Sequence, residues 1–349
     1  MLYDYLIVGQ GIAGSVLGFQ LLAKNKKCII FDIEPWNSPS RISNGIVNPI
    51  TGQKYVKTWL FDELNKSAKP FYKYIEQLLG IKIYHETFIT KLFPTALEAN
   101  EFDLRITDLE YVDYLEPSIV NGNQKIKGTY TGKIKNVFWI NTNLFIEYAR
   151  KYFLSNFAFK EENFDYLKLK KNGEVFNYQD FSFRKIVFCE GAKGIINPYF
   201  PNLPFVFAKG ELISIEFFEE MGQEIIQKNG ILSPIGKGQY KFGSTNSWSD
   251  INPNPTQEGR TELEDKLKQI TDLPFKIKKH FAAIRPTTKD RRPLLGESNI
   301  ENNIYIMNGL GTKGVSLAPY FSNMLIDFME YKTPILPTVN WNRFEKKIK

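Results

Sequence analysis

Residues 3–35 read YDYLIVGQGIAGSVLGFQLLAKNKKCIIFDIEP. Tyr3 to Val8 is a short apolar run of strand character, and the run that follows to Ala23 has helical character. Lys27 to Phe31 reads as a second strand that stops at Asp32. Between strand and helix, Gly9, Gly11 and Gly14 make G-x-G-x-x-G. Each glycine answers a steric demand. The first permits a tight turn, the second lets backbone approach a pyrophosphate, and the third lets helix and sheet pack closely. The opening of the helix then presents free N–H groups and the positive end of its dipole to phosphate. A carboxylate at the end of the second strand accepts ribose hydroxyls, and Asp32 stands there. The stretch predicts a dinucleotide site on a parallel α/β sheet. The plain alternative is a glycine-rich turn with no ligand.

The motif does not choose between NAD and FAD. An NAD domain usually continues its alternation of strands and helices without interruption. Here the alternation stops. EPWNSPSRISNGIVNPITGQKY (34–55) is polar and turn-rich and predicts a long functional loop. A helical stretch follows from about Trp59 to Leu79. Sheet-like pieces return much later. FRKIVFCEGAKG (183–194) predicts a strand, Arg184 to Cys189, running into a turn at Gly191. NNIYIMNGLGTKGVSLAPYFSNMLIDFMEY (302–331) predicts a strand over Ile304 to Met307, a turn with Gly309, Gly311 and Gly314, and a helix. A glycine-rich turn opening a helix suits the negative charge that a reduced flavin carries near N1 and its C2 carbonyl. FAD is therefore preferred to NAD.

Composition narrows the chemistry. The chain has 349 residues, 43% hydrophobic and 24% charged, which is ordinary for one large or two medium globular domains. No apolar run approaches the ~20 residues of a membrane helix, and MLYDYLIVG has neither the basic start nor the cleavage site of a signal peptide. A cytoplasmic protein is expected. Its two cysteines, Cys28 and Cys189, fall in apolar strands, as buried thiols in a reducing compartment do. With two histidines in all, His85 and His280, a metal site or a Ser-His-Asp triad is poorly supplied. The chemistry is expected to come from a cofactor, with no metal. The formal charge of +7 is spread over scattered lysines, as on an ordinary solvated surface.

AAIRPTTKDRRPLLG (282–296) is the second unusual stretch. A small apolar run ends in Arg285-Pro286, and Lys289, Asp290, Arg291 and Arg292 follow. A surface turn is the plain reading. Pro286 fixes its own φ and restricts Arg285 to extended conformations, which orients the guanidinium.

With these units in place, the chain resembles the FAD-dependent D-amino-acid oxidase/glycine oxidase family nearly from end to end. It is also similar to the FAD domain of the bifunctional enzymes that modify the tRNA wobble uridine side chain. DYLIVGQGIAGSVLG matches the N-terminal fingerprint, RISNGIVNP (41–49) the loop after the second strand, and WINTNLFIEYAR (139–150) a helix opening in the FAD domain. FCEGAKG (188–194) resembles a strand-turn near the flavin, and AKGELISIE (208–216) resembles an Arg-Gly-Gln strand. ILSPIGKGQYKFGST (231–245) resembles the substrate-domain hairpin, AAIRPTTKDRRPLLG the signature Arg-Pro turn, and GLGTKGVSLAP (309–319) the last glycine-rich turn. The resemblance implies FAD contacts at Gly9, Gly11, Ile12, Ala13, Gly14 and Asp32, at Ser43, Asn44 and Gly45, and at Gly191. It implies further contacts at Gly309, Gly311, Thr312, Lys313 and Gly314, and it places Arg285 as the catalytic-site clamp on a substrate carboxylate. The chain departs from the family at three pairs of positions. Leu232 and Ser233 stand where amine-oxidising relatives often have Tyr, Cys189 and Glu190 where Ala is usual, and Leu310 and Lys313 where the tRNA enzymes have His and Arg. No cysteine lies near residues 285–320 to bond a flavin, so the FAD is expected to be non-covalent.

The expected fold is α/β. A discontinuous Rossmann-like FAD domain (1–70, 137–200 and 280–349) joins a substrate domain on a mixed, mostly antiparallel sheet (71–136 and 201–279). The expected activity is oxidation of a C–N bond in a small amino acid or secondary amine, with hydride passing to flavin N5. Two alternatives stay open: oxidative removal of a carboxymethyl group from a tRNA wobble uridine, and an FAD- or RNA-binding module without turnover.

Overall fold

The computed structural model describes residues 1–33, 38–52, 54–236 and 238–344. From the N-terminus, β1 (Leu2–Val8), α1 (Ile12–Ala23) and β2 (Cys28–Phe31) are followed by α2 (Pro39–Ile42), β3 (Ile46–Val47), β4 (Ile50–Thr51) and β5 (Val56–Lys57). Next come α3 (Phe61–Leu79), β6 (Tyr84–Phe93), α4 (Ala96–Ile106), β7 (Leu115–Val120), β8 (Tyr130–Ile140) and α5 (Thr142–Ser155). Four strands follow: β9 (Phe159–Lys160), β10 (Lys170–Asn172), β11 (Val175–Tyr178) and β12 (Phe181–Phe188). The chain continues through β13 (Phe205–Phe217), β14 (Ile225–Gln227), β15 (Ile231–Gly236), β16 (Gln239–Gly243), α6 (Gln257–Lys268) and β17 (Phe275–Thr288). It closes with β18 (Leu294–Glu297), β19 (Ile304–Asn308) and α7 (Gly314–Tyr331).

Largely apolar strands, β1, β2 and β19 among them, form the centre of the first sheet. Its parallel centre is β9, β2, β1, β12 and β19, with β10, β11 and β18 added antiparallel. Both faces of β1 are buried, as expected for parallel strands covered by helices. The carboxyl ends of β1, β2, β12 and β19 lie side by side, and in such sheets ligands bind outside those ends.

The second sheet has the order β17-β13-β16-β15-β14-β6-β8-β3, with β7 also on β8, and is mostly antiparallel. Alternation divides its faces. Leu92, Ile213, Ile226, Leu232 and Phe242 pack outward in one core with Leu263 and Leu267 of α6. Ile89, Phe93, Ile134 and Ile225 face the other way, into the main core shared with α1, α3, α5 and α7. We propose that the first sheet organises a nucleotide domain and the second a substrate domain.

Two expectations need correction. Residues 34–55 are not a uniform loop. Where described, they hold α2, β3 and β4, and β3 pairs with β8 in the second sheet. Arg285-Pro286 is not a turn. Both lie inside β17, opposite Ala208 and Phe207 of β13. Among the described residues β17 is the edge of its sheet, paired with β13, and an edge strand tolerates the donor that proline lacks. The chain reverses later, where the Asp290 carboxylate accepts from the Arg292 N–H (3.1 Å) and from Arg343.

Candidate active site

The first cradle forms where β1 meets α1. Gly9 has φ +101°, and a Cβ there would lie 2.5 Å from the Cys189 carbonyl oxygen. A Cβ on Gly14 would lie 1.9 Å from the Gly9 carbonyl oxygen. No other residue type fits either position, because the turn and helix must nearly touch. The Gln10 N–H donates to Asp32 Oδ2 at 2.7 Å, which aims the carboxylate across the turn. Burial raises the Asp32 pKa, and the Gln10 amide and the nearby Arg150 charge oppose that rise. Ile12 donates its N–H to Ser40 Oγ at 3.0 Å, and Ala13 is buried in the first turn of α1.

Three other segments close around this cradle. Gly314 opens α7, and a Cβ on it would lie 2.8 Å from Ile12 Cγ2, so α1 and α7 bring their N-termini together. Asn308 ties two turns to each other. Its Nδ2 donates to the Gly191 carbonyl (3.0 Å), and its Oδ1 accepts from the Gly309 N–H (2.8 Å). In the loop between α2 and β3, Ser43 shares a hydrogen bond with Thr142 of α5, Gly45 accepts from the Ile140 N–H, and Asn44 Oδ1 is buried with no partner among the described residues. Thr312 is exposed, whereas Lys313 reaches back to Thr58 Oγ1 (3.2 Å). Burial, and then Arg292 and Arg291, push the Lys313 amine down to about 8.

The residues fit FAD. Two helix N-termini meet beside an aimed carboxylate, and a buried amide oxygen waits for a donor. When bound, FAD would be held by the Gly9–Gly14 turn and Asp32 at one end. The Ser43–Gly45 and Gly309–Gly314 segments would hold it at the other.

Arg285 is held from three sides. Its Nη2 donates to Ser244 Oγ (2.7 Å), and its Nη1 donates to Asn246 Oδ1 (2.8 Å). Its guanidinium lies on Gly210, where a Cβ would come within 1.7 Å of Nη2. Residues Lys209-Gly210-Glu211 therefore leave a slot that only glycine provides. On the opposite face of the same strands, Lys209 meets Asp250 (2.6 Å) and Glu211 (3.2 Å), and His280 Nε2 lies 2.9 Å from Glu211 Oε2. Glu211 also accepts from the Thr256 N–H at the start of α6. This buried network braces β13 and β17 beneath Arg285. Thr287 is two residues on and on the Arg285 face, and Gly311 packs against it. The clamp and the last glycine turn thus border one space.

Sequence reading missed Lys241. It lies opposite Ser214 on β13 and Ser233 on β15, on the inner face of the sheet. Its Nζ donates to the Ile42 and Ser43 carbonyls, each at 3.2 Å. Burial lowers its pKa to about 8. The Ser233 hydroxyl beside it is buried without a partner among the described residues. The period-2 pattern of QYKFG carries the signal, but it becomes readable only once the inner face is known. Gln10, Ser40, Asn308 and Arg150 were also missed. Of these, Arg150 is buried, donates from Nε to Gln10 Oε1 (3.1 Å) and lies over Phe159.

The fold and this arrangement of turns define a flavin-dependent oxidoreductase. A family model described as FAD dependent oxidoreductase (DAO) matches residues 4–328, and the chain belongs to that family. A segment of 110 residues is 34% identical to the tRNA 5-methylaminomethyl-2-thiouridine biosynthesis bifunctional protein of Marinobacter nauticus. That match covers 28% of this chain and 17% of the relative. The bifunctional protein ThiO/ThiG of Trichormus variabilis is 26% identical over 156 residues, 42% of this chain and 24% of its own length. The chain thus spans about a quarter or less of these curated relatives. Among solved structures, glycine oxidase from Bacillus cereus superposes with a TM-score of 0.79 at 16% identity, over 95% of this chain and 96% of that one. Iminodiacetate oxidase from Chelativorans gives 0.78 at 17%, over 97% and 99%. At these identities the likeness shows the fold alone. No described helix is long and apolar enough to cross a membrane.

The cradle makes a first prediction. Asp32→Ala removes the acceptor aimed by Gln10. Hydrogen bonds to a charged partner contribute about 1.5–3 kcal/mol, so FAD affinity should fall roughly tenfold or more. Titrating apoprotein with FAD by flavin fluorescence measures it, and unchanged affinity would mean that the carboxylate serves the fold only.

Proposed function

We propose that this oxidoreductase oxidises the C–N bond of a small amino acid or secondary amine that carries a carboxylate. The observation that supports it most is Arg285, pinned on Gly210 by Ser244 and Asn246. A planar guanidinium so fixed presents its remaining N–H donors in a constant direction, which suits two carboxylate oxygens. Bound FAD supplies the two-electron acceptor for the hydride leaving the substrate carbon. The protein's own part is to bind, orient and tune. Arg285 fixes the carboxylate and thereby the position of the adjacent carbon, an effect of orientation. Lys241 and Arg285 place positive charge on the same inner face. Like charge lowers the pKa of an ammonium nearby, so the pocket favours the neutral amine, the form able to release hydride. The released proton passes to solvent, and the imine product then hydrolyses in water.

The test is an anaerobic screen of the holoprotein. Glycine, D-amino acids, N-methyl and N-carboxymethyl amines and modified nucleosides are added, and bleaching of the flavin band is read. Bleaching by a carboxylate-bearing amine is expected. Failure of every such amine would refute the proposal. The segment 34% identical to the tRNA-modifying protein favours a second reading, a wobble-uridine side chain as substrate. Exposed Arg291 beside half-buried Arg292 suits that reading. Under it, Arg291→Ala with Arg292→Ala weakens only turnover with RNA, and binding falls steeply with salt.

Non-covalent attachment of the flavin is part of the proposal. Cys28 and Cys189 are buried thiols with raised pKa values, His85 stacks on Trp139 (4.1 Å), and His280 faces Glu211. Acid precipitation of the holoprotein should therefore leave the yellow colour in the supernatant. Colour that stays with the pellet would show a covalent bond.

A further inference from the structure

A second group of cations gathers where the start of α3, the turn after β17 and the N-terminus of α7 meet. The Arg292 guanidinium lies over the Trp59 ring, 3.9 Å from its centroid, and Trp59 stacks on Phe321 (5.7 Å). Lys313 reaches Thr58, the residue before Trp59. Arg291 follows in the same turn, with φ +58°. One acid, Asp290, stands in this turn and acts on Arg292, but its oxygens already accept from Nε and Nη2 of Arg343 at 2.8 and 2.9 Å and from the Arg292 backbone N–H at 3.1 Å. Thr58 gives its own hydroxyl proton to the Asn48 carbonyl (2.9 Å), so it can only accept from Lys313. Among the described residues, neither Lys313 nor the Arg292 guanidinium has an ion pair.

We propose that Lys313, Arg292 and Arg291 form a second anion subsite, and that the substrate amine carries a second anionic group beyond the carboxylate held by Arg285. The inference rests on the Arg285 reading and extends it. The geometry relates the two subsites. Gly311 packs on Thr287, two residues along β17 from Arg285 on one face, a separation of roughly 7 Å along a strand. Lys313 follows two residues later in that turn. Cations seldom outnumber the acids beside them in half-buried surroundings, because desolvation and mutual repulsion both oppose it, and here one carboxylate already paired with Arg343 stands beside three further cations. Both forces act on Lys313, whose amine is lowered by burial and by the two arginines. A bound anion relieves both. Contact with the Trp59 ring holds the Arg292 guanidinium in place, with fork donors that suit carboxylate or phosphate oxygens.

The test uses the oxidised holoprotein and reads the flavin visible band during titration. The probes are acetate, with one anion, glutarate, with a distal carboxylate, and 3-phosphopropionate, with a distal phosphate. At least one of the two dianions should bind tenfold or more tighter than acetate, and the better one identifies the distal group. In Arg292→Gln that advantage should fall to threefold or less. Lys313→Met serves as the second variant if the first does not fold. No advantage for either dianion in the unmodified protein would overturn the proposal. So would an advantage that survives both substitutions, or substitutions that change FAD content but not the ratio, which would assign the cations to the cofactor. A flavin band that responds to none of the three anions would instead refute the Arg285 clamp, and the subsite with it.

Discussion

Arg285→Ala is expected to lower kcat/KM for a carboxylate-bearing amine by about two to four orders of magnitude while FAD content stays the same. Removing one partner of a buried ion pair costs about 3–5 kcal/mol, and each 1.36 kcal/mol is a factor of ten in rate. The substrate carboxylate would enter the half-buried slot over Gly210 with no counter-charge at that end. FAD content should hold, because the protein partners of Arg285 are Ser244 and Asn246, neither of which belongs to the glycine turns. Arg285→Lys separates charge from shape. It keeps the cation and loses the fork, so it should recover about tenfold of the loss. Stopped-flow reduction of the flavin under anaerobic conditions reads both variants. A loss below tenfold in Arg285→Ala, with FAD intact, would remove Arg285 from the site.

That arginine also shows where sequence reading succeeds and where it stops. The Gly9–Gly14 turn was legible because its constraints are local. Strand, tight turn and helix follow each other within a few residues, Gly9 is required by its own φ of +101°, and Gly14 by the Gly9 carbonyl of the same turn, although the Cys189 carbonyl that also excludes a side chain at Gly9 is distant in sequence. The same holds for β19 and the start of α7. Arg285-Pro286 was misread as a turn because proline suggests one. Its conformation is decided by β13, whose residues Phe207 and Ala208 lie nearly eighty positions earlier. Gly210 reads as an ordinary strand glycine until Arg285 is laid upon it. Asn308 joins Gly191 to Gly309 across more than a hundred residues, and no window of sequence reveals that.

Departures from family pattern were visible as letters but not as structure. Glu190 stands in a turn where a small residue is usual. Tyr166 and Asn197 both donate to its carboxylate. It is therefore a tie between segments, although burial still raises its pKa. Ser233, noted only as the absence of a tyrosine, carries a buried hydroxyl opposite Lys241 that has no partner among the described residues.

Lys241→Met is expected to stabilise the protein below pH 8 and to impair turnover. The amine is held at about 8 by burial, against 10.5 for an ordinary lysine. Below pH 8 it is charged in both the folded and the unfolded chain, and the folded state bears the full desolvation cost. A shift of this size corresponds to about 3 kcal/mol. Between pH 8 and 10.5 the unfolded chain binds a proton that the folded protein does not, so stability rises with pH across that window. Above 10.5 the cost is gone. Methionine is close in length and carries no charge. It also gives up the two N–H bonds to the Ile42 and Ser43 carbonyls, each contributing about 1 kcal/mol. The net gain at pH 7 should be about 1–2 kcal/mol. The difference between variant and unmodified protein should then shrink by about 3 kcal/mol from pH 8 to 10.5, ending with the unmodified protein the more stable. Urea unfolding at a series of pH values measures this. Turnover should fall in the same variant, because the charge that keeps the substrate amine neutral is lost, and the optimum for kcat/KM should move to higher pH. A residue kept at a cost to folding is what a functional site predicts. A variant less stable at pH 7, with a difference that does not change toward pH 10.5, would mean that Lys241 is a structural tie between β16 and the Ile42–Ser43 backbone.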